Sequence, residues 1–79
     1  MKPTDLIKAL AERAPMSDRA MSLALGKTGG WVYNTVRNNG IPRLDTTAAV
    51  ADLAGCDVLI VDRATGETIA TIDPPRRED

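Results

Sequence analysis

The chain has no histidine and no phenylalanine, and only one cysteine, one tryptophan and one tyrosine among its 79 residues. Without histidine there is no imidazole to act as a general base or to complete a His-containing metal set. The lone Cys56 has no disulfide partner and no sequence-adjacent base, and it reads as a small buried hydrophobe. No glycine-rich phosphate loop follows a strand pattern. The composition therefore points away from an enzyme and implies no cofactor and no metal. So few aromatic residues require an aliphatic core. Long hydrophobic runs are missing as well: the most apolar stretch, Val58 to Val61, is far too short to cross a bilayer, and no signal peptide is read. A soluble, cytoplasmic domain with no membrane partner is expected. A chain of this length buries only about 60% of its unfolded surface, so a second copy would add stability that one chain lacks.

Net charge is −1, which argues against indiscriminate binding of nucleic acid, but the charge is unevenly placed. Residues 1–45 carry seven Lys and Arg against four Asp and Glu, a net of +3; residues 46–79 carry three against seven, a net of −4. A basic first part and an acidic second part suit a molecule with one side toward DNA and one side away from it.

Apolar spacing predicts four helices, at about 4–14, 17–25, 28–38 and 45–54. The first opens at Pro3 or Thr4 with Asp5 in its first turn, carries Leu6, Ile7, Leu10, Ala11 and Ala14 as an apolar stripe, and stops at Pro15. It is expected to cover the backs of the second and third helices, with Lys8 and Arg13 outward. Ser17 is a good N-cap for the second, whose apolar face reads as Ala20, Met21, Ala24 and Leu25, and Gly26 ends it. Thr28 is placed to cap the third, with Val32, Thr35 and Val36 inward. Asn38-Asn39-Gly40 is a stop signal, Pro42 fixes the next turn, and Leu44 is expected to return to the core. Asp45 or Thr46 then caps the fourth helix, which buries Ala48, Val50, Ala51, Leu53 and Ala54 and ends at Gly55.

On a 100° wheel for the third helix, Gly30, Asn34 and Arg37 fall opposite the buried stripe, at i, i+4 and i+7, with Trp31 and Tyr33 on the flanks. A short helix held by its back and showing donors at its front has the shape of a recognition helix in the major groove. The run Ser17–Asn38 resembles the helix-turn-helix of the Cro/C1 (Xre-like) family of phage and bacterial repressors. Ser22, Gly26 and Val32 match that family's small residue, turn glycine and β-branched residue, and Met21, Leu25 and Thr28 match the flanking positions. Pro42, Leu44 and Thr46, followed by Ala49 to Gly55, resemble its fourth helix, so the likeness covers residues 4–55. Departures are Lys27 at a usually apolar position, Thr35 where Ile or Leu is common, Asp18 in place of a Gln, and Gly29 and Gly30 where base-reading side chains often stand. The resemblance implies a mostly α, lambda-repressor-like domain over residues 1–55 that binds double-stranded DNA. Gly30, Tyr33, Asn34 and Arg37 would then face the bases, with Asn34 suited to adenine and Arg37 to either a guanine or a phosphate. Ser17, Arg19, Lys27, Thr28, Trp31 and Arg43 would lie along the backbone.

Residues 56–75 differ in kind. Asp57 to Asp62 and Glu67 to Asp73 read as two strands, joined by Arg63-Ala64-Thr65-Gly66 and ended by Pro74-Pro75: a β-hairpin. The first strand is apolar on both faces, and an isolated hairpin is barely stable in water. The expectation is a homodimer formed through Val58, Leu59, Ile60, Val61, Ile69 and Ile72. Residues 76–79 read as a disordered tail. The whole suggests a sequence-specific transcriptional regulator, a repressor that acts by occupying its site. The alternative is a protein-binding inhibitor on the same frame, such as a phage anti-CRISPR or other anti-defence protein, or an antitoxin. The glycines at reading positions, Asp18 and the acidic second half motivate that alternative.

Overall fold

A computed structural model of the chain describes residues 1–75; the tail 76–79 lies outside the described residues. Four helices are followed by a two-stranded antiparallel sheet. A single 3-10 turn, Pro3–Asp5, leads into α1 (Leu6–Arg13); then come α2 (Asp18–Ala24), α3 (Trp31–Arg37) and α4 (Leu44–Leu53), and the strands β1 (Val58–Val61) and β2 (Thr68–Ile72).

Each helix stops where the sequence supplies a stop. Ala14 is extended, as the residue before a proline is driven to be, and α1 ends there. The other three helices all close with one hydrogen-bonding pattern, in which two N–H groups past the helix reach back to carbonyls that would otherwise be orphaned. After α2, Gly26 N–H donates to Leu23 C=O and Lys27 N–H to Ser22 C=O, each at 3.0 Å. After α3, Asn39 donates to Val36 at 3.2 Å and Gly40 to Thr35 at 2.8 Å; after α4, Gly55 donates to Asp52 at 3.0 Å and Cys56 to Ala51 at 2.8 Å. The pattern needs a left-handed residue, and Gly26, Asn39 and Gly55 have φ of 74°, 53° and 73°. At the end of α3 the left-handed position falls on Asn39 rather than Gly40, and asparagine is one of the few side chains that tolerates it.

Helix starts are less uniform. Ser17 caps α2 as expected, its hydroxyl accepting the Ala20 N–H at 3.1 Å. Thr28 does not cap α3: the helix begins three residues later, the Thr28 carbonyl accepts the Trp31 N–H at 3.0 Å, and Gly30 stands at the cap with no side chain to offer. Nor do Asp45 and Thr46 cap α4, which starts at Leu44 behind Arg43; Asp45 instead accepts the N–H of Thr46 at 2.8 Å. Leu44 does not return to the core. It is 55% exposed, because at the first position of α4 it lies a turn before Ala48 and overhangs the core.

The core is small and aliphatic, built on Ile7, Leu10, Met21, Val32, Val50, Ala51 and Ala54, with Ala48 also buried. Full burial of Ile7, Met21, Val32 and Val50 is worth about 1.5–3 kcal/mol each. α2 packs on α3, and α1 lies across α3, as expected, with α4 rather than α2 as its other main neighbour. The inward face of α2 also differs from expectation: Ala20 is exposed, and the position beside Met21 is taken by Ser22, which is fully buried.

That buried hydroxyl joins the two helices. Ser22 Oγ donates to the Asp18 carbonyl at 2.8 Å and accepts the Val32 N–H at 3.0 Å. Val32 is the second residue of α3, where an N–H has no partner within its own helix. α3 has no cap of its own and borrows one from α2. Ser22→Ala leaves that N–H buried and unsatisfied, a loss of about 1–3 kcal/mol. The expected fall in Tm is roughly 4–8 °C per kcal/mol for a domain of this size, read by circular dichroism. A change of less than about 0.5 kcal/mol would show that the hydroxyl does not couple the helices.

Candidate nucleic-acid interface

With its back secured by Val32 and Ser22, α3 turns one side to solvent. Gly30, Tyr33, Asn34 and Arg37 are all exposed, Tyr33 by 60%. Gly30, Asn34 and Arg37 succeed one another at one-turn intervals, as the wheel requires. Asn34 leans back along the helix, its Nδ2 lying 3.3 Å from where a Cβ on Gly30 would stand. The inward residues behave as the spacing indicates: Val32 is fully buried, and Thr35 and Val36 are half-buried.

The start of α2 and the turn before α3 add the positive charge. Arg19 crosses Gly29, and Lys27 places its Nζ 5.9 Å from the centroid of the Trp31 ring, at the outer limit of a cation–π contact. Trp31 is itself half-buried and packs against the core, so only part of its ring is free for a partner. Ser17 and Thr28 are exposed, although the Ser17 hydroxyl is already engaged as a cap. Arg43 stands elsewhere, at the cap of α4, with its guanidinium 3.2 Å from Asp45. That pair is open to water and worth little, and it leaves Arg43 partly neutralised as a backbone contact. From Ser17 to Asn38 the charge is three basic residues against one acidic.

Ser22 escapes a reading based on single helices. Its signal in the sequence is a small polar residue on an otherwise apolar helix face, followed by a helix that opens on two glycines and has no cap.

The hairpin carries the opposite character. Val58 pairs with Ile72, Leu59 with Thr71, Ile60 with Ala70 and Val61 with Thr68. One residue is thereby left over on β2, Ile69, which forms a bulge opposite Val61 and is 65% exposed. The turn is fixed by Asp62, whose carboxylate accepts the N–H groups of Ala64 and Thr65, while Gly66 takes the left-handed position expected of it. Val58 packs against the core of its own chain and, with Ile72, is half-buried. Leu59, Ile60 and Val61 remain nearly half exposed. Between Asp57 and Asp73 the charge is four acidic residues against one basic.

Among the described residues, no group of His, Cys, Asp and Glu is placed to hold a metal ion, and no helix is long and apolar enough to cross a membrane. Comparison with protein-family models, with curated proteins and with solved structures returns no match to this chain.

Proposed function

We propose that the chain is a helix-turn-helix regulator that binds double-stranded DNA through α3 and acts as a homodimer through its hairpin. The observation that carries this reading is the exposed row Gly30, Asn34 and Arg37 on a helix whose opposite side buries Val32 fully and Thr35 and Val36 in part. The seven residues of α3 extend about 10 Å, which fits within a major groove about 12 Å wide and spans about three base pairs. An asparagine amide pairs bidentately with adenine, and an arginine fork with guanine. Arg19 and Lys27 lie at the near end of the same helix and suit phosphates on the groove's edge, positioning the domain without reading sequence. The acidic hairpin belongs on the side away from the duplex.

A second copy would cover the apolar side chains on one face of the hairpin. Leu59 and Val61 share one face, with the bulged Ile69 beside them. Pairing two β1 strands edge to edge in antiparallel fashion would set Asp57 against the partner's Asp62, so acid would meet acid. Stacking the two sheets face to face keeps the acids at the corners and buries the apolar residues between layers. Two-fold symmetry would then offer two reading helices to half-sites about 34 Å apart.

The second reading, a module that captures a protein, draws on the same exposed residues of the hairpin together with the bare Gly29 and Gly30. Salt separates the two, since DNA affinity falls steeply with ionic strength and capture through apolar side chains hardly responds.

Asn34→Ala and Arg37→Ala should each weaken binding to the duplex upstream of the chain's own gene by about 1–3 kcal/mol. Folding stability should stay within about 0.5 kcal/mol, because both side chains are exposed. A gel shift beside a random duplex of equal length reads the first, and a urea titration the second; normal binding by both variants would move the reading face elsewhere. Val61→Lys should convert a species of twice the chain mass to a monomer in analytical ultracentrifugation with helix content unchanged, whereas a variant that stays dimeric would place the contact outside the hairpin.

A further inference from the structure

Two glycines in succession precede α3, and the backbone asks for neither. The positive-φ glycines of the described residues are Gly26, Gly55 and Gly66. Gly30 has φ of −95° and ψ of 5°, which other residues adopt without strain, and Gly29 has no left-handed conformation to maintain. At Gly29 the requirement is one of space. A Cβ there would stand 2.5 Å from Nη1 of Arg19, 3.2 Å from its Cζ and 3.5 Å from its Cγ. No Cβ tolerates the first of these distances, so the guanidinium end of the arginine would have to swing off its present course, a shift that a flexible tip can make.

Arg19 therefore passes over Gly29, with its Cγ, Cζ and Nη1 all within 3.5 Å of where a Cβ would stand. We infer that Gly29 is a positioning residue for Arg19: the missing side chain is the channel that holds the arginine against the start of α3. This rests on the DNA-binding reading and deepens it by assigning the job of presenting a phosphate contact to a residue that touches no phosphate. The ion pair recorded among the described residues joins Arg43 to Asp45, so Arg19 reaches the surface with its fork uncommitted. A long side chain free in solution loses much of its rotamer freedom when it binds. One already laid in a channel loses less, and more of its attraction to a phosphate appears as affinity. Gly29 and Gly30, which as single letters look like gaps in a reading helix, then act as clearances for the side chains beside them: Gly29 for Arg19, and Gly30 more loosely for Asn34.

Phosphate contacts do not depend on sequence, so a short random-sequence DNA duplex is a sufficient probe. Its binding to the wild-type chain, Gly29→Ala, Arg19→Ala and the double variant is measured by fluorescence anisotropy over a salt series, with thermal melts of all four. Gly29→Ala is expected to bind about tenfold more weakly, as for loss of one hydrogen bond to a charged group. Its logarithmic salt slope should flatten by about 0.9, one phosphate contact, at an unchanged Tm. Arg19→Ala should match it, and the double variant should be no weaker than either. A Gly29→Ala chain with the wild-type slope overturns the inference while leaving the DNA reading intact. So does a loss that adds in full to that of Arg19→Ala, or one that comes with a lowered Tm, since each marks a role apart from the arginine. A wild-type chain that binds neither this duplex at low salt nor the duplex upstream of its own gene overturns the DNA reading and this inference with it.

Discussion

A single buried hydroxyl sets the relation between the two helices on which the molecule's outward face depends. Ser22 accepts the N–H of Val32 from the next helix and donates its own O–H to the backbone carbonyl of Asp18, so it acts as both acceptor and donor inside the protein. α3 begins on glycines and has no cap of its own, and it is only seven residues long, well short of what holds together alone in water. What orders it is the pairing of Val32, buried both as a side chain and through its backbone N–H, with a neighbour one helix back. Once that point is pinned, the 100° step of the helix leaves Gly30, Asn34 and Arg37 no direction but outward. The front of α3 follows from its back.

The division of the chain into two chemistries rests on the same economy of core. Four short helices share a handful of aliphatic side chains, and nothing among them is large. That core takes in Val58 at the foot of the hairpin, and the more distal apolar residues stay uncovered. Residues 1–45 carry a net charge of +3 and residues 46–79 a net of −4. A polyanion approaching such a molecule meets attraction at one end and repulsion at the other, which orients the encounter before any contact forms.

Much of this was legible in the residues, and what was not has identifiable causes. The helices and the hairpin follow from apolar spacing and from stop signals at Pro15, Gly26, Asn39 and Gly55. Ser17 could be read as a cap because its partner, Ala20, is three residues away. The capping of α3 was misread because its acceptor, Ser22, lies ten residues back, and a local rule could offer only Thr28. Leu44 was misplaced because its periodicity is right and its position is terminal: the face is correct, but the core ends before reaching it. The bulge at Ile69 was invisible because strict alternation assumes one residue opposite one, and only pairing with β1 shows the surplus. Of the interface, the row on α3 could be found from the wheel alone. The passage of Arg19 over Gly29 could not, since it joins a helix to a turn ten residues on.

The central claim is that the exposed side of α3, and not the hairpin, meets a nucleic acid. Titrating the isotopically labelled protein with duplex DNA and following its amide resonances tests this residue by residue. The account predicts shifts concentrated from Lys27 to Arg37 and at Arg19, with residues 58–72 unmoved apart from effects of dimerisation already present without DNA. Shifts confined to the hairpin, or no shifts at low salt, would contradict it.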